Sequence, residues 1–230
     1  MLRFEWAQEV TQLAGAHRDL GDVREARSLY GDALEAFERA AEHDPANARW
    51  QREVWRAHFR IAELALAVGT YEAVGPHLEA ALAGFDRLVE QDPTNLKFRL
   101  DLVSSWRLDA ERWLAANQAD RALERALQAQ AEVAALLRQS EAGTARLENA
   151  MTAETLGRVR WARGDRAAAE TAWLNALDTL PPAEQCDLLE AAVRARLLLH
   201  LGREREAAPL RARLEASGFR DPVFGLQENS

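Results

Sequence analysis

The stretches EHDPANARWQREV (Glu42–Val54) and EQDPTNLKFRLDL (Glu90–Leu102) place the same Asp-Pro-x-Asn turn at two points 48 residues apart. Proline disfavours a helical conformation in the residue before it, so each of these turns is expected to end a helix. The asparagine two residues later can accept backbone N–H groups at the beginning of the next helix. The repeated turn therefore predicts two helix boundaries of the same design and indicates that the chain is built from repeats.

Five short turns centred on glycine or asparagine mark the same repeat along the whole chain. Their central residues are separated by 48, 48, 47 and 38 positions. Both residue types accept the left-handed conformation in which many helices end. Each turn is therefore predicted to join two antiparallel helices. The five central residues are Gly21, Gly69, Asn117, Gly164 and Gly202.

Small residues recur at fixed distances from these turns. Alanine or glycine stands seven residues before every turn, and alanine or valine stands five residues after every turn. Twelve residues after the turn, alanine occupies four of the five positions and Leu214 the fifth. Small side chains at matching positions let two helices approach each other closely. The pattern predicts five helix pairs, each held together through small residues.

Composition narrows the functional classes. The 230 residues include 37 acidic and 29 basic ones, the formal net charge is −8, and the single lysine is Lys97. Nucleic-acid binding draws much of its affinity from cationic contacts with phosphates, so a nucleic-acid binder is disfavoured. The N-terminus lacks a secretion-signal pattern, and no stretch reaches the roughly 20 apolar residues that a membrane span needs. We expect a soluble, cytoplasmic protein that binds neither nucleic acid nor membrane.

Sequence signatures of catalysis and of metal binding are missing. The chain contains no GxxxxGK[ST] phosphate loop and no GxSxG nucleophile elbow. No two of the five histidines stand at i,i+4 with a supporting carboxylate, as a helical zinc site would require. Cys186, the one cysteine, has no histidine nearby in the sequence. We therefore expect no enzymatic activity, no cofactor and no metal site.

At this point the chain resembles the tetratricopeptide repeat (TPR) family, in a bacterial variety with a repeat of about 48 residues. The resemblance implies an all-α fold: a right-handed superhelical solenoid of about five antiparallel helix pairs. The fourth helix pair matches best, because the family's signature residues stand at their usual offsets in it. These are Leu156, Gly157, Gly164, Ala169, Trp173, Ala176 and Pro181.

The resemblance and the turn spacing together predict one array over residues 1–217. Its units are expected at about 4–43, 47–91, 95–139, 146–180 and 184–217, and a C-terminal tail follows at 218–230. The tail segment Phe219–Pro222 looks like a short docking segment, and Phe219 and Phe224 are expected to cover the last hydrophobic face. Helices are predicted at about 4–19, 22–43, 47–67, 71–90, 95–116, 119–139, 146–162, 165–179, 184–200 and 203–217.

The resemblance also implies a binding surface, because in this family the first helix of each pair lines a concave face. Arginine recurs there in every unit, with apolar residues between. Either these arginines grip an acidic or C-terminal peptide through bidentate contacts, or they pair with acids on neighbouring first helices. Nearly one acid accompanies each arginine, which favours the second interpretation. The candidate groove residues are Arg56, Phe59, Arg107, Glu111, Arg158, Trp161 and Arg196, with Arg107 and Arg158 the first to test.

The sequence thus predicts a non-catalytic scaffold that binds a protein or peptide, with an acidic partner as one option. The alternative is a sensory or regulatory TPR module, such as the C-terminal part of a larger bacterial signalling or defence protein. An enzyme built on a helical toroid is disfavoured by the scattered histidines, and an RNA-reading repeat by the acidic charge balance. The sequence predicts neither the partner nor the oligomeric state.

Overall fold

The computed structural model describes residues 2–139 and 143–224. This part of the chain contains ten helices and no strand, which confirms the predicted all-α array of helix pairs. None of the described helices is long and apolar enough to cross a membrane. The helices are α1 (Leu2–Asp19), α2 (Val23–His43), α3 (Ala48–Ala67), α4 (Tyr71–Gln91), α5 (Leu96–Ala115), α6 (Ala119–Gln139), α7 (Gly143–Ala162), α8 (Arg166–Thr179), α9 (Leu188–His200) and α10 (Glu204–Ala216).

The turns within the helix pairs form where the sequence predicts them. Gly21 has a φ of +80°, and Asn117, with a φ of +58°, is the one non-glycine residue of the described chain in the left-handed region. This conformation turns the backbone so that the N–H groups after α1 cap its last carbonyls. Asp22 N–H donates to His17 O over 2.8 Å, for example. A left-handed residue at this position ends the first helix and lets the second fold back on it.

The repeated Asp-Pro-x-Asn turn also acts as predicted. Asn47 Oδ1 accepts the backbone N–H of Trp50 over 3.3 Å at the beginning of α3. Asn95 Oδ1 accepts the N–H of Phe98 over 3.4 Å at the beginning of α5. Each asparagine satisfies a backbone donor that the first turn of a helix leaves without a partner.

The predicted beginning of α9 was wrong by four residues, since the helix starts at Leu188 and not at 184. Two consecutive prolines precede a tight turn, in which Gln185 N–H donates to Pro182 O over 2.9 Å. A capping box then starts the helix: Asp187 accepts the N–H of Glu190, and the Glu190 side chain accepts the N–H of Asp187.

The chain forms two compact units. The first comprises the residues up to Ser105 together with Arg220–Val223, and the second comprises Trp106–Phe219 together with Phe224. In both units the small residues at the repeated offsets from the turns are buried between paired helices. Ala14 of α1 and Ala26 of α2 have no exposed surface and pack against Tyr30. The small-residue pattern therefore marks the contacts that hold each pair.

In the second unit, one signature contact joins α7 to α8. Gly157 faces the Trp173 indole so closely that a Cβ atom at this position would lie 2.1 Å from Trp173 Nε1. The indole is 2% exposed, and its N–H donates to Glu154 O over 3.2 Å. The glycine is therefore required for the close approach of the two helices, and the tryptophan fills the groove between them.

Candidate binding surfaces

A buried ion-pair network joins the first helices of the second unit. Arg107 of α5, only 4% exposed, donates to Glu148 Oε1 over 2.9 Å and to Glu111 Oε1 over 3.1 Å. Thr155 of α7 donates its hydroxyl to the same Glu111 oxygen over 2.8 Å. Burial alone would raise the pKa of Glu111, but the arginine charges, Arg107 first, bring it below the ordinary value. The carboxylate therefore stays charged although it is buried.

The network continues from α7 to α9. Arg196 Nε donates to Glu154 Oε1 over 2.9 Å, and His200 Nε2 lies 3.2 Å from the same oxygen. Glu154 is 1% exposed, so desolvation pushes its pKa upward; Arg196 and His200 outweigh this and lower the pKa to about 2. We call these side chains the second-unit network: Arg107, Glu111, Glu148, Glu154, Thr155, Arg196 and His200.

Three of the predicted groove residues, Arg107, Glu111 and Arg196, belong to this network. Arg107 pairs with Glu111 on its own helix and with Glu148 on α7, and Arg196 of α9 pairs with Glu154 on α7. This is the second of the two interpretations that the sequence allowed. The two pairs between helices connect residues 41 and 42 positions apart, close to one repeat length, so charges on one first helix are neutralised by the next.

Arg158 and Trp161 of α7, the other two predicted groove residues in this unit, lie outside the second-unit network. Arg158 is half-buried, and within the described chain its guanidinium makes no hydrogen bond or ion pair, although its charge helps to lower the pKa of Glu111 and Glu154. Trp161 is 44% exposed, with the Arg166 guanidinium 5.0 Å from its ring centroid. Three residues apart on one helix, Arg158 and Trp161 lie on neighbouring positions of the same face.

The first unit carries a cavity of about 260 Å³ between α1 and α3, to which Tyr30 of α2 also contributes. Arg56, a predicted groove residue, lines it and donates to Glu53 over 3.2 Å. Phe59, the other prediction in this unit, is half-buried on α3 and does not line the cavity. Arg60, which was not among the predicted groove residues, does line it. Its i,i+4 spacing from Arg56, which puts both on one face of the helix, could have revealed it.

The C-terminal segment of the first unit packs against the end of α1. Arg220 N–H donates to Asp19 O over 2.6 Å, and Oδ2 of Asp221, a residue with no exposed surface, lies 2.8 Å from Arg18 Nε. These two atoms are close but poorly aligned, so neither of them has a hydrogen bond within the described chain. Burial raises the pKa of Asp221 to about 7, against the opposing charge of Arg18. The sequence predicted a docking segment but not this pair.

The sequence predicted that Phe219 and Phe224 cover the last hydrophobic face, and both residues belong to the second unit. Phe224 is 5% exposed. The Arg196 guanidinium carbon lies over the Phe224 ring, 5.8 Å from the ring centroid. Phe219 is half-buried. The rest of the predicted tail, beyond Phe224, lies outside the described residues.

Nothing in the described residues resembles a metal centre: no three histidine, cysteine or acidic side chains come together in it. His58 and His77 form a pair with their Nδ1 atoms 2.8 Å apart, and burial followed by the neighbouring ring lowers the pKa of His58 to about 4. Cys186 is buried and donates to Pro181 O, and burial raises the pKa of its thiol. These groups are neutral at pH 7.

No family model and no curated protein matches the chain. Among solved structures, BtubC (BKLC) from P. vanneervenii is similar with 16% identity and a TM-score of 0.51, over 99% of this chain and 85% of that one. A thermophilic TPR protein from Thermus thermophilus has 22% identity and a TM-score of 0.49, over 92% and 98%. At these identities the likeness concerns the fold. The chain has a TPR-like fold. The Gly157–Trp173 contact, at the signature positions of the TPR-like repeat, agrees with this assignment.

Proposed function

We propose that this protein is a non-catalytic scaffold that binds a protein or peptide through the first helices of its pairs. A repeat array buries surface between neighbouring repeats and leaves one side of each helix free for a partner. The observation that carries the proposal is the pair Arg158 and Trp161: a tryptophan that is 44% exposed, one turn from an arginine that has no ion pair in the described chain. Tryptophan and arginine dominate the binding energy of many interfaces.

The chemistry of this pair favours a partner with an acidic residue next to an apolar one. The Arg158 fork can donate two parallel hydrogen bonds to a carboxylate. The exposed part of the Trp161 ring supplies apolar surface beside the Arg158 guanidinium. In the second-unit network every carboxylate already has a cationic partner. These carboxylates therefore compete little with the incoming acid for Arg158.

We infer further that the protein acts in the bacterial cytoplasm without nucleic-acid or membrane partners. The net charge of −8 supports this, because phosphate-rich partners would be repelled. In this proposal the chain carries no enzymatic activity of its own and needs no cofactor.

A second role, as a regulatory module of a larger signalling or defence protein, is favoured by the outer surface of α1. Trp6 and Leu13 of α1 are exposed by 49% and 51%, and Leu20, exposed by 61%, follows directly after the helix. The seven-residue spacing gives an exposed apolar stripe along this helix and its end. A neighbouring segment of a larger protein would cover the stripe and account for it.

Affinity capture from a bacterial lysate tests the scaffold proposal. The bait is the full chain, and the variants are Arg158→Glu and Trp161→Ala. Arg24→Glu is the matched control, because Arg24 is an exposed arginine on α2. We expect a protein retained by the wild type and by the control but reduced at least tenfold with either α7 variant. Equal retention by all four baits would contradict the proposal, as would retention of nothing. Arg107 is unsuited to this test because its substitution would disturb the buried network.

A further inference from the structure

The first-unit cavity is lined by three arginines from the first helices α1 and α3: Arg18, Arg56 and Arg60. Two of them are already neutralised. Arg18 lies 2.8 Å from Asp221 and 3.7 Å from Glu63, and Arg56 donates to Glu53. The third arginine, Arg60, therefore determines whether the cavity carries an unpaired positive charge.

Arg60 has no such partner. Within the described chain its guanidinium makes no ion pair or hydrogen bond, and its one close contact is with the Tyr30 ring, 5.9 Å from the centroid. Burial lowers the pKa of Arg60, and the neighbouring Arg56 charge lowers it further. A guanidinium never loses its proton under ordinary conditions. The unit thus holds a half-buried positive charge without an ion pair in the described chain, because Glu53, whose carboxylate raises the pKa of Arg60, already accepts from Arg56. Such an arrangement costs stability and is relieved by a bound anion.

The rest of the lining supplies polar groups that suit an oxyanion. Gln8 and Gln12 lie one turn apart on α1, and neither amide is engaged in a hydrogen bond within the described chain. Each can donate two N–H groups into the cavity. The carboxylate of Glu53, on the same lining, is held by Arg56.

Charge and volume limit the class of anion. One uncompensated cation matches a monoanion, whereas a phosphate monoester carries a charge of about −1.5 to −2. The guanidinium fork fits the two oxygens of a carboxylate. A cavity of 260 Å³ is smaller than most pockets for cofactor-sized ligands, which begin at about 300 Å³. We propose that the first-unit cavity is a binding site for a single carboxylate group, held by Arg60 with Gln8 and Gln12 as neighbouring donors.

This site is independent of the scaffold proposal, because it shares no residue with the pair Arg158 and Trp161. The carboxylate can come from a free small acid or from a glutamate side chain of a peptide. Both sources present the same group to Arg60, and two probes distinguish them. Sodium acetate represents the free acid, and the tripeptide acetyl-Gly-Glu-Gly-amide represents the peptide. Acetamide and acetyl-Gly-Gln-Gly-amide are the uncharged controls.

The experiment is an NMR titration of the full chain that follows the arginine Nε–H resonances. We expect acetate and the glutamate peptide to shift the Arg60 resonance and to saturate, with neither uncharged control producing a shift. A tighter constant for the peptide indicates a protein partner, and an equal or tighter constant for acetate indicates a small acid. Inorganic phosphate that binds tighter than both would overturn the assignment to a carboxylate.

Variants show whether the signal belongs to this cavity. Arg60→Gln is expected to weaken binding of the better probe at least tenfold, while Arg24→Gln, an exposed arginine in the same unit, leaves it unchanged. Arg60→Lys keeps the charge but loses the fork, so an intermediate affinity is expected. Gln8→Ala, which leaves the arginines intact, is expected to weaken binding several-fold. The proposal fails if no probe saturates, or if Arg60→Gln binds the better probe as tightly as the wild type does.

Discussion

The first helices of both units carry arginines, but the two units use them differently. In the second-unit network, Arg107 is buried and Arg196 is half-buried against Glu148, Glu111 and Glu154, and every charge of this network has a partner. In the first unit, positive charge faces a cavity, and Arg60 lacks a carboxylate within the described chain. Arginines of the first helices therefore link neighbouring helices in the second-unit network, whereas Arg60 of the first unit is left without an ion pair in the described chain.

Two buried carboxylates show this contrast as opposite pKa shifts. Glu154 has a pKa lowered to about 2 despite its burial, because Arg196 and His200 stabilise the charged form. Asp221 has a pKa raised to about 7, because burial outweighs the poorly aligned Arg18 and because the acids Glu63 and Asp19 lie nearby. The second-unit network compensates the charge of Glu154, whereas Arg18 does not fully compensate the charge of Asp221.

The largest expected effect is a loss of stability in the Arg107→Gln variant. The substitution leaves Glu111 and Glu148 without the arginine that lies between them. Removing one partner from a buried ion pair costs about 3–5 kcal/mol, because the remaining charge stays desolvated. Urea unfolding followed by circular dichroism measures the change. Arg203→Gln, in an exposed pair with Glu206, is the control and should leave the unfolding curve almost unchanged. Similar unfolding curves for Arg107→Gln and Arg203→Gln would contradict the structural role of the buried arginine.

The second effect is a pH dependence carried by Asp221. Its folded pKa of about 7 lies above the ordinary 3.8, so the folded state binds the proton more tightly. The resulting stabilisation is complete below pH 3.8 and is lost as the pH rises through 7. Between pH 5 and pH 8 the free energy of unfolding is expected to fall by at most about 3 kcal/mol from this group. Asp221→Asn removes the titrating group, so its advantage over the wild type should grow with pH.

Glu154 provides the opposite case in the second unit. Its folded pKa of about 2 lies below the ordinary 4.5, so its stabilisation is present above pH 4.5 and is lost as the pH falls through 2. Glu154 therefore does not titrate between pH 5 and pH 8. If Asp221→Asn keeps the full slope of the wild type in that range, the raised pKa of Asp221 is wrong. Thermal unfolding of the wild type and of Asp221→Asn at four pH values between pH 5 and pH 8 measures this slope.

The third effect compares two glycines that face tryptophans. A Cβ at Gly157 would lie 2.1 Å from the buried Trp173, and a Cβ at Gly84 would lie 2.1 Å from Trp55, which is half-buried. Overpacking costs about 1–3 kcal/mol, and the outcome depends on whether the neighbour can move. We expect Gly157→Ala to lose about 2 kcal/mol and Gly84→Ala less than half of that, because Trp55 can swing toward solvent. Differential scanning calorimetry measures both.

Gly31→Ala is the matched control for the two glycine variants. Gly31 is exposed on α2, and nothing lies within 4 Å of the place where its Cβ would be. Alanine is a better helix former than glycine by up to about 1 kcal/mol, so this variant should be slightly more stable than the wild type. If Gly157→Ala were stabilised in the same way, the close contact with Trp173 could not be part of the native packing.

The fold was predictable because its determinants are local and repeat along the chain. Gly21 and Asn47 act through backbone conformation and capping within a few residues, so their roles can be read from sequence. The buried alanines were predictable because the same offset recurs in every pair. The beginning of α9 was missed because a proline turn and a capping box, both particular to that unit, delay the helix.

The binding features were harder to predict, because pairing decides what an arginine does. Sequence spacing placed Arg107 and Arg158 on the same predicted face, ten and six residues before their turns, yet the one is enclosed by carboxylates and the other is not. Which acid reaches which arginine depends on side-chain conformation and on the distance between helices, and neither follows from a periodic pattern. The contact of Asp221 with Arg18 was missed for a related reason, since it joins residues about 200 positions apart.

The smallest expected change in stability comes from Arg60→Gln, the variant that separates binding from folding most clearly. Removing a desolvated charge that has no counter-charge eliminates a cost, while the lost contact with the Tyr30 ring removes a gain of about 0.5–1 kcal/mol. The two effects oppose each other, so the free energy of unfolding in urea should change by less than about 0.5 kcal/mol. Arg60→Gln should then bind carboxylate probes poorly and yet unfold like the wild type, whereas Arg107→Gln should be strongly destabilised. A large destabilisation by Arg60→Gln would mean that Arg60 has a structural partner after all, and that the arginines of the two units serve one purpose.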